Sequence, residues 1–259
     1  MPKEEYPVAP FDEFRKIYTA AAEPAFGEDS RFFSDGLTVM LYGIYIRLAE
    51  CSKKFNLTAI TEVSAVVEKH LIDSLMLIPR LEEEGALTDG TLILDIGAGA
   101  GFPSLPLAAA SASGGFPPFK VTAIDSTAKK IGYIKDTAAL LGIGSIRAET
   151  GRAEELARTG LRGKFDVVTA RAVSAMPVLI ELAAPFVKRG GAVAAMKSHS
   201  EDEVKSAEKG ASVLGLDGAR VKTYSLPSGD ARSVVIYRKT GSTPPEYPRE
   251  YSKIIKKPL

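Results

Sequence analysis

Apolar residues in the first third of the chain recur at the spacing of amphipathic helices. A first helix is indicated by four residues at positions i, i+3, i+6 and i+7, namely Phe11, Phe14, Ile17 and Tyr18. A second apolar stretch covers residues 37–48. A third helix is predicted over residues 64–81, with one face formed by Val67, Leu71, Leu75 and Ile78. The charged, turn-forming segment that follows ends near Gly90, so residues 1–90 are predicted to form a helical extension packed on the next domain.

From residue 91 the pattern changes to short apolar runs that alternate with helix-spaced segments. The runs of strand length cover residues 92–96, 121–124, 145–148, 166–170 and 192–196. The helix-spaced segments cover residues 105–110, 128–141, 153–159, 175–187 and 202–214. This alternation predicts a doubly wound α/β domain over residues 91–240, with parallel strands joined by right-handed crossovers. Two last apolar runs, at residues 219–225 and 232–238, flank a turn rich in proline and glycine and predict a β-hairpin.

Composition narrows the class of protein further. Of the 259 residues, 45% are hydrophobic and 25% charged, which is the balance of a globular protein. No apolar run reaches the ~20 residues of a membrane-spanning helix, and the acidic, proline-rich N-terminus lacks the basic start of a signal peptide. The single cysteine, Cys51, excludes an internal disulfide and a cysteine-built metal site. We therefore expect a cytoplasmic protein without a membrane segment or a bound metal.

The strongest local motif is DIGAGAGFPS at residues 95–104, between the first predicted strand and the first crossover helix. Three alternate glycines, Gly97, Gly99 and Gly101, allow a tight turn and bring backbone amides close to a ligand. A tight turn without a ligand is the alternative. The dinucleotide motif G-x-G-x-x-G fails in both registers, because Phe102 and Ser104 occupy the last position, and no G-x-x-x-x-G-K-[ST] loop is present. We expect a cofactor that is neither a nicotinamide dinucleotide nor a nucleoside triphosphate.

Seven short blocks of the chain, in order, resemble one family of enzymes. They are NLTAI at residues 56–60, HLIDSL at 70–75, DIGAGAGFPS at 95–104, IDSTAKK at 124–130, GRAEE at 151–155, ARAVS at 170–174, and the ending YPR with KKPL. The family is that of the bacterial 16S rRNA guanine-N7 methyltransferases, RsmG or GidB. Two departures are Ser104, which stands where the family usually has glycine, and an ending that lacks the family's glycine-containing turn.

The resemblance implies a fold, a cofactor and a reaction. The fold is a class I S-adenosylmethionine (SAM) methyltransferase core, Rossmann-like, with a mostly parallel sheet that ends in a β-hairpin and with the N-terminal helical extension. The reaction is transfer of the methyl group of SAM to N7 of a guanosine in the 530 loop of 16S rRNA (position 527 in the usual rRNA convention). Alternatives are a SAM-dependent methyltransferase of another nucleic acid or small molecule, and a SAM-binding module without catalysis.

The resemblance also assigns cofactor contacts. The implied SAM-binding residues are Gly97, Gly99, Gly101, Phe102, Asp125, Ala153, Glu154 and Arg171. Asp125 would accept hydrogen bonds from the ribose hydroxyls, and Ala153 with Glu154 would border the adenine. Solvated helix caps are the alternative for the two acids, since acidic residues favour helix N-termini.

The chemistry at N7 makes few demands on the protein. Guanine N7 carries a lone pair and no proton, so we expect no general base. Arg171 is implied as an orienting residue that pairs with the cofactor carboxylate or with guanine O6, and a surface ion pair is the alternative. His70 fits a packed, hydrogen-bonded residue better than a catalyst, and Asn56 either faces the cofactor or ends a helix.

Basic residues indicate where RNA would bind. Six lie from Arg238 to the end of the chain, against Glu246 and Glu250, so residues 241–259 are predicted to be a basic tail that contacts phosphates. The implied RNA-binding residues are Lys129, Lys130, Lys197, Arg249, Lys256 and Lys257. The alternative is a packing strap with Ile254 and Ile255 buried. The expected partner is 16S rRNA or the assembling small ribosomal subunit, bound by a monomer.

Overall fold

The computed structural model describes residues 8–52, 57–60, 62–198 and 200–259. Helix α1 covers Phe11–Phe26, a short 3-10 turn covers Ser30–Phe33, and α2 covers Asp35–Ser52. Phe14 and Tyr18 are fully buried on the inner face of α1, as their spacing predicts. Asn56, which was expected either to face the cofactor or to end a helix, lies outside the described residues.

The third predicted helix is present but is not a single α-helix. It consists of α3 (Val63–Val66), a π-helical segment (Val67–Ile72), α4 (Asp73–Leu75) and α5 (Leu77–Glu83). The Glu62 side chain accepts hydrogen bonds from the backbone amides of Ser64 and Ala65, which fixes the start of α3. A π-helical turn changes the angular spacing of side chains, and such turns are frequent at functional sites. Here the turn carries His70.

Seven strands form one sheet with the order β3-β2-β1-β4-β5-β7-β6. The strands are β1 (Leu92–Ile96), β2 (Lys120–Asp125), β3 (Ile146–Thr150), β4 (Phe165–Arg171), β5 (Val187–Lys197), β6 (Arg220–Ser225) and β7 (Ala231–Arg238). Strands β1 to β5 are parallel, and β7 pairs antiparallel with both β5 and β6. The mostly parallel sheet and the terminal hairpin are confirmed.

Helices connect the strands and cover both faces of the sheet. They are α6 (Ser104–Ala112), α7 (Ala128–Leu140), α8 (Ala153–Leu156), α9 (Met176–Ala183) and α10 (Glu201–Val213). The predicted helix over residues 175–187 was too long: Pro185 lies in a 3-10 turn, Ala184–Phe186, after which β5 begins at Val187. The predicted fifth strand, 192–196, was correspondingly too short.

Two apolar clusters lie on the two faces of the sheet. Consecutive strand residues alternate between them: Ile93 faces one cluster and Leu94 the other, and Val167 and Val168 divide in the same way. The N-terminal helices share the first cluster with α6 and α7, whereas α9 and α10 belong to the second. The helical extension is therefore packed on the sheet as an integral layer.

The C-terminal segment also belongs to this core. Helix α11 (Tyr251–Lys256) buries Ile254 completely in the second cluster, and Ile255 remains 52% exposed. The predicted basic tail is therefore anchored on the core, because α11 contacts α9 and Ile254 belongs to the same apolar cluster. The alternative of a packing strap predicted that both Ile254 and Ile255 are buried, and only Ile254 is. None of the helices in the described part of the chain has the length and apolarity to cross a membrane.

Candidate functional site

The glycine loop follows β1 and turns sharply at the carboxyl end of the sheet. All three glycines have positive φ values: 69° at Gly97, 58° at Gly99 and 86° at Gly101. Residues with a Cβ disfavour this backbone conformation. A Cβ on Gly97 would lie 2.7 Å from Val173, and one on Gly101 would lie 2.5 Å from Leu105. A Cβ on Gly99 would meet only the Gly97 carbonyl, at 3.7 Å. Gly99 thus presents an open backbone surface.

Asp125, at the end of β2, holds this loop in place. Its Oδ2 accepts a hydrogen bond from the Gly99 amide at 3.0 Å, and its Oδ1 accepts one from the Thr127 amide at 2.8 Å. The second bond closes the turn before α7, whose N-cap is Thr127, so the buried Asp125 is not the solvated helix cap of the alternative. A carboxylate has about four acceptor positions, so Asp125 retains capacity for a ligand while it braces the loop.

A cavity of about 190 Å³ lies beside this carboxylate. It is lined by Ile96, Gly97, Ile124, Asp125, Ser126, Gly151, Arg152, Ala153, Glu154, Val173, Leu182 and Tyr251. The structure therefore brings together Gly97, Asp125, Ala153 and Glu154, four of the residues expected to bind the cofactor. Tyr251 comes from α11 and was not expected there.

Phe102 and Arg171 lie on the other side of the glycine loop. The Arg171 guanidinium donates hydrogen bonds to the Lys69 carbonyl at 2.8 Å and to Asp73 Oδ2 at 3.0 Å, and it lies 5.4 Å from the centre of the Phe102 ring. The Arg171 side chain is only 16% exposed and that of Asp73 only 6%. The ion pair is therefore largely buried, which the surface alternative did not anticipate.

Asp73 connects Arg171 to the hairpin. The Tyr224 hydroxyl donates to Asp73 Oδ1 at 2.7 Å, and Arg232 Nε lies 3.7 Å from the same oxygen. Burial, reinforced by Asp73, raises the pKa of the Tyr224 hydroxyl and keeps it a donor. Sequence reasoning missed Asp73, although it lies within the block HLIDSL.

His70 is a neutral component of the same cluster. Burial, together with the nearby charge of Arg171, lowers its pKa to about 3. Nδ1 lies 3.2 Å from an Arg171 donor, so Nε2 carries the proton and donates to the Thr58 hydroxyl at 2.9 Å. The ring stacks on Phe102 with centroids 4.5 Å apart. His70 therefore has the packed, hydrogen-bonded environment that its helix position suggested.

A second cavity, of about 560 Å³, opens over this cluster. Its lining includes Lys69, His70, Asp73, Arg171, Val173, Lys197 and Arg232. Val173 also lines the smaller cavity, so this residue borders both spaces. Between Arg171 and Val173, Ala172 has a φ of 55°. A non-glycine residue in this conformation is strained, and such strain is typical of functional sites.

Asp95 and Ser104 form a buried pair beneath the glycine loop. Both side chains are fully buried, and the Ser104 hydroxyl donates to Asp95 Oδ2. Burial raises the pKa of the Asp95 carboxyl to about 7, an effect that this hydrogen bond opposes. Glycine at position 104 could not make this contact. The departure at Ser104 therefore has a local structural role.

The expected RNA-binding residues fall into two groups. Lys129, Lys256 and Lys257 are exposed, and Lys130 is half-buried. Lys197 instead donates to Glu203 at 2.7 Å and to the Ser174 carbonyl at 2.6 Å.

Arg249 is also engaged within the chain. It donates to both carboxylate oxygens of the fully buried Glu181, at 2.8 and 2.5 Å. Arg249, an implied RNA-binding residue, is thus held by an ion pair within the chain. In the described parts of the chain, no three His, Cys, Asp or Glu side chains cluster as a metal site.

Sequence comparison identifies relatives over most of the chain. Residues 41–234 match the family model GidB, described as rRNA small subunit methyltransferase G. The chain is 44% identical over 216 residues to a ribosomal RNA small subunit methyltransferase G from Streptococcus pyogenes serotype M3, covering 82% of this chain and 87% of the relative. The homologue from serotype M49 matches with the same identity and coverage.

Solved structures resemble the fold at much lower identity. A putative sarcosine dimethylglycine methyltransferase from Galdieria sulphuraria aligns with a TM-score of 0.51 and 13% identity, over 69% of this chain and 88% of that one. The CurJ carbon methyltransferase aligns with a TM-score of 0.50 and 11% identity, over 90% and 72% of the two chains. The fold is that of the class I SAM-dependent methyltransferases.

Proposed function

The chain belongs to the rRNA small subunit methyltransferase G family, and on that premise we propose that it transfers the methyl group of SAM to N7 of a guanosine in the 530 loop of 16S rRNA. The observation that carries the proposal is that two cavities share Val173 in their walls. One lies beside the strand-end carboxylate Asp125, and the other contains the hydrogen-bonded cluster of Arg171, Asp73 and the neutral His70.

The smaller cavity fits the adenosine half of SAM. Asp125 has acceptor positions left for ribose hydroxyls, and Ala153 is buried beside it. The open backbone at Gly99 leaves room where the chain must approach the cofactor closely. When bound, SAM supplies an electrophilic methyl group on its sulfonium. The protein supplies position, which is the main requirement of such a transfer.

The larger cavity fits the target base. Three contacts already hold the Arg171 guanidinium, which has five N–H groups, so it keeps donors for guanine O6. Because N7 carries no proton, no side chain has to act as a base, and His70 is neutral at any pH well above 3. Arg171 is then an orienting residue held in position by Asp73 and the Lys69 carbonyl.

RNA contacts are proposed for the exposed and half-buried lysines. Lys129 and Lys130 lie in the first turn of α7, shortly after Asp125. Lys256 is the last residue of α11, and Lys257 is its C-cap. Such cations bind phosphates with a salt-dependent affinity. The charges of Lys197 and Arg249 are paired with Glu203 and Glu181, so we do not include them among the phosphate contacts.

Methyl transfer in vitro tests the proposal. The protein is incubated with labelled SAM and either naked 16S rRNA or isolated small subunits, and the product is mapped for N7-methylguanosine. Arg171→Lys keeps a positive charge beside Asp73 and removes the planar fork, so we expect it to lower kcat at least tenfold. Arg220, on β6, forms more exposed ion pairs with Glu84 and Asp217. Arg220→Ala breaks these pairs and serves as the matched control, for which we expect an unchanged kcat.

Two results would contradict the proposal in different ways. Label in another RNA, or on another atom of guanine, would favour a methyltransferase with a different substrate. SAM binding without transfer to any RNA would favour a non-catalytic binding module. Equal turnover of Arg171→Lys and the wild type at saturating substrate and cofactor would remove Arg171 from the site.

A further inference from the structure

Tyr251 forms part of the wall of the smaller cavity, although it lies 69 residues beyond Leu182, the lining residue that precedes it in the chain. The same cavity is lined by Asp125, Gly151, Ala153 and Glu154. The Tyr251 ring is half-buried, and the Arg152 guanidinium lies 5.3 Å from its centre. Arg152 in turn pairs with Glu154 at 2.7 Å. An aromatic ring thus stands at the rim of the pocket, in contact with its polar residues.

Contacts before and after Tyr251 along the chain fix the segment that carries this ring. Before Tyr251, Arg249 is paired with the fully buried Glu181 of α9, and Arg158 donates to the Pro248 carbonyl at 2.7 Å. After it, Ile254 is fully buried against the same helix layer. Arg162 also donates to the Tyr247 carbonyl at 2.7 Å. The segment that carries Tyr251 is therefore attached to the core by contacts before and after this residue.

We propose that Tyr251 contacts the adenosine half of the cofactor and closes that end of its site. The inference rests on the proposed function only in taking SAM as the ligand of this cavity. Aromatic rings bind adenine-like bases by stacking on their π-faces, and Arg152, which also lines the cavity, holds this ring by a cation–π contact. The C-terminal segment then takes part in cofactor binding, and its role is not confined to RNA.

The test measures ligand affinity by calorimetry and needs no rRNA. The probes are S-adenosylhomocysteine and methylthioadenosine, which share the thioadenosine half and differ in the amino acid half. Tyr251→Ala should raise Kd for both probes by about tenfold or more and by similar factors. Tyr251→Phe keeps the ring and should leave both Kd values within about twofold. Ile255→Ala, on the exposed face of the same helix, is the matched control and should change neither.

Melting temperatures of the ligand-free variants separate binding from folding. If Tyr251→Ala binds both probes as the wild type does, the inference is overturned. It is also overturned if only S-adenosylhomocysteine binding weakens, or if Tyr251→Phe loses as much affinity as Tyr251→Ala. These outcomes are independent of methyl transfer. Failure to methylate 16S rRNA would contradict the proposed function and would leave the result for Tyr251 unaffected.

Discussion

At the scale of single residues, Gly99 and Gly142 have nearly the same φ but different surroundings. Gly99 has a φ of 58° and lies in the loop that Asp125 braces, whereas Gly142 has a φ of 65° after α7, with nothing within 4 Å of an added Cβ. A side chain at either position strains the backbone to a similar extent. Only at Gly99 would it also enter the space in which we propose that the cofactor binds.

We therefore expect Gly99→Val and Gly142→Val to lose similar stability, about 1–3 kcal/mol each. Only Gly99→Val should lose SAM binding, because its branched carbons would occupy the open backbone surface of the loop. Urea unfolding and calorimetry with SAM measure the two effects. Wild-type affinity in a folded Gly99→Val protein would refute the assignment of the glycine loop.

The sequence predicts some residues of the site and not others, for a physical reason. Gly97 follows β1 directly and Asp125 is the last residue of β2, so the ends of parallel strands locate both residues once the strands are recognised. The environment of His70 depends on Arg171, which lies 101 residues further along the chain. Tyr251 reaches the cavity only because α11 folds back onto α9. Contacts of this kind follow from tertiary packing, which local patterns do not encode.

At the scale of elements, helix α11 was the least predictable part of the chain. Its six residues include two lysines that suggested a solvated tail, and only one residue, Ile254, is buried. The partner that fixes the preceding segment is Glu181, a single acid in the otherwise apolar helix α9. A buried glutamate without a nearby cation in sequence signals a distant partner. Here that partner is Arg249.

Removing this partner should destabilise the protein strongly. Arg249→Ala leaves the fully buried Glu181 carboxylate without its counter-ion, which we expect to lower the free energy of unfolding by about 3–5 kcal/mol. Lys253→Ala breaks an exposed pair with Glu250 on the same segment and should cost less than about 1 kcal/mol. Urea denaturation measures both. Equal, small losses would show that Arg249 does not anchor the segment.

At the scale of the whole molecule, the chain has a fold that many different activities share, and its function depends on the site built on that fold. The alternation of strands and helices predicted the parallel sheet because each strand end and each crossover has a local signature. The same alternation could not identify the substrate, since many activities share this fold. The family match and the two cavities that share Val173 in their walls carry the functional conclusion.

The most direct test of that conclusion is the modification state of 16S rRNA in cells with and without the protein. We expect N7-methylguanosine in the 530 loop when the protein is present, its loss when the gene is deleted, and its return with the wild-type chain but not with Gly99→Val. Full N7 methylation of that guanosine in the deletion strain would contradict the account.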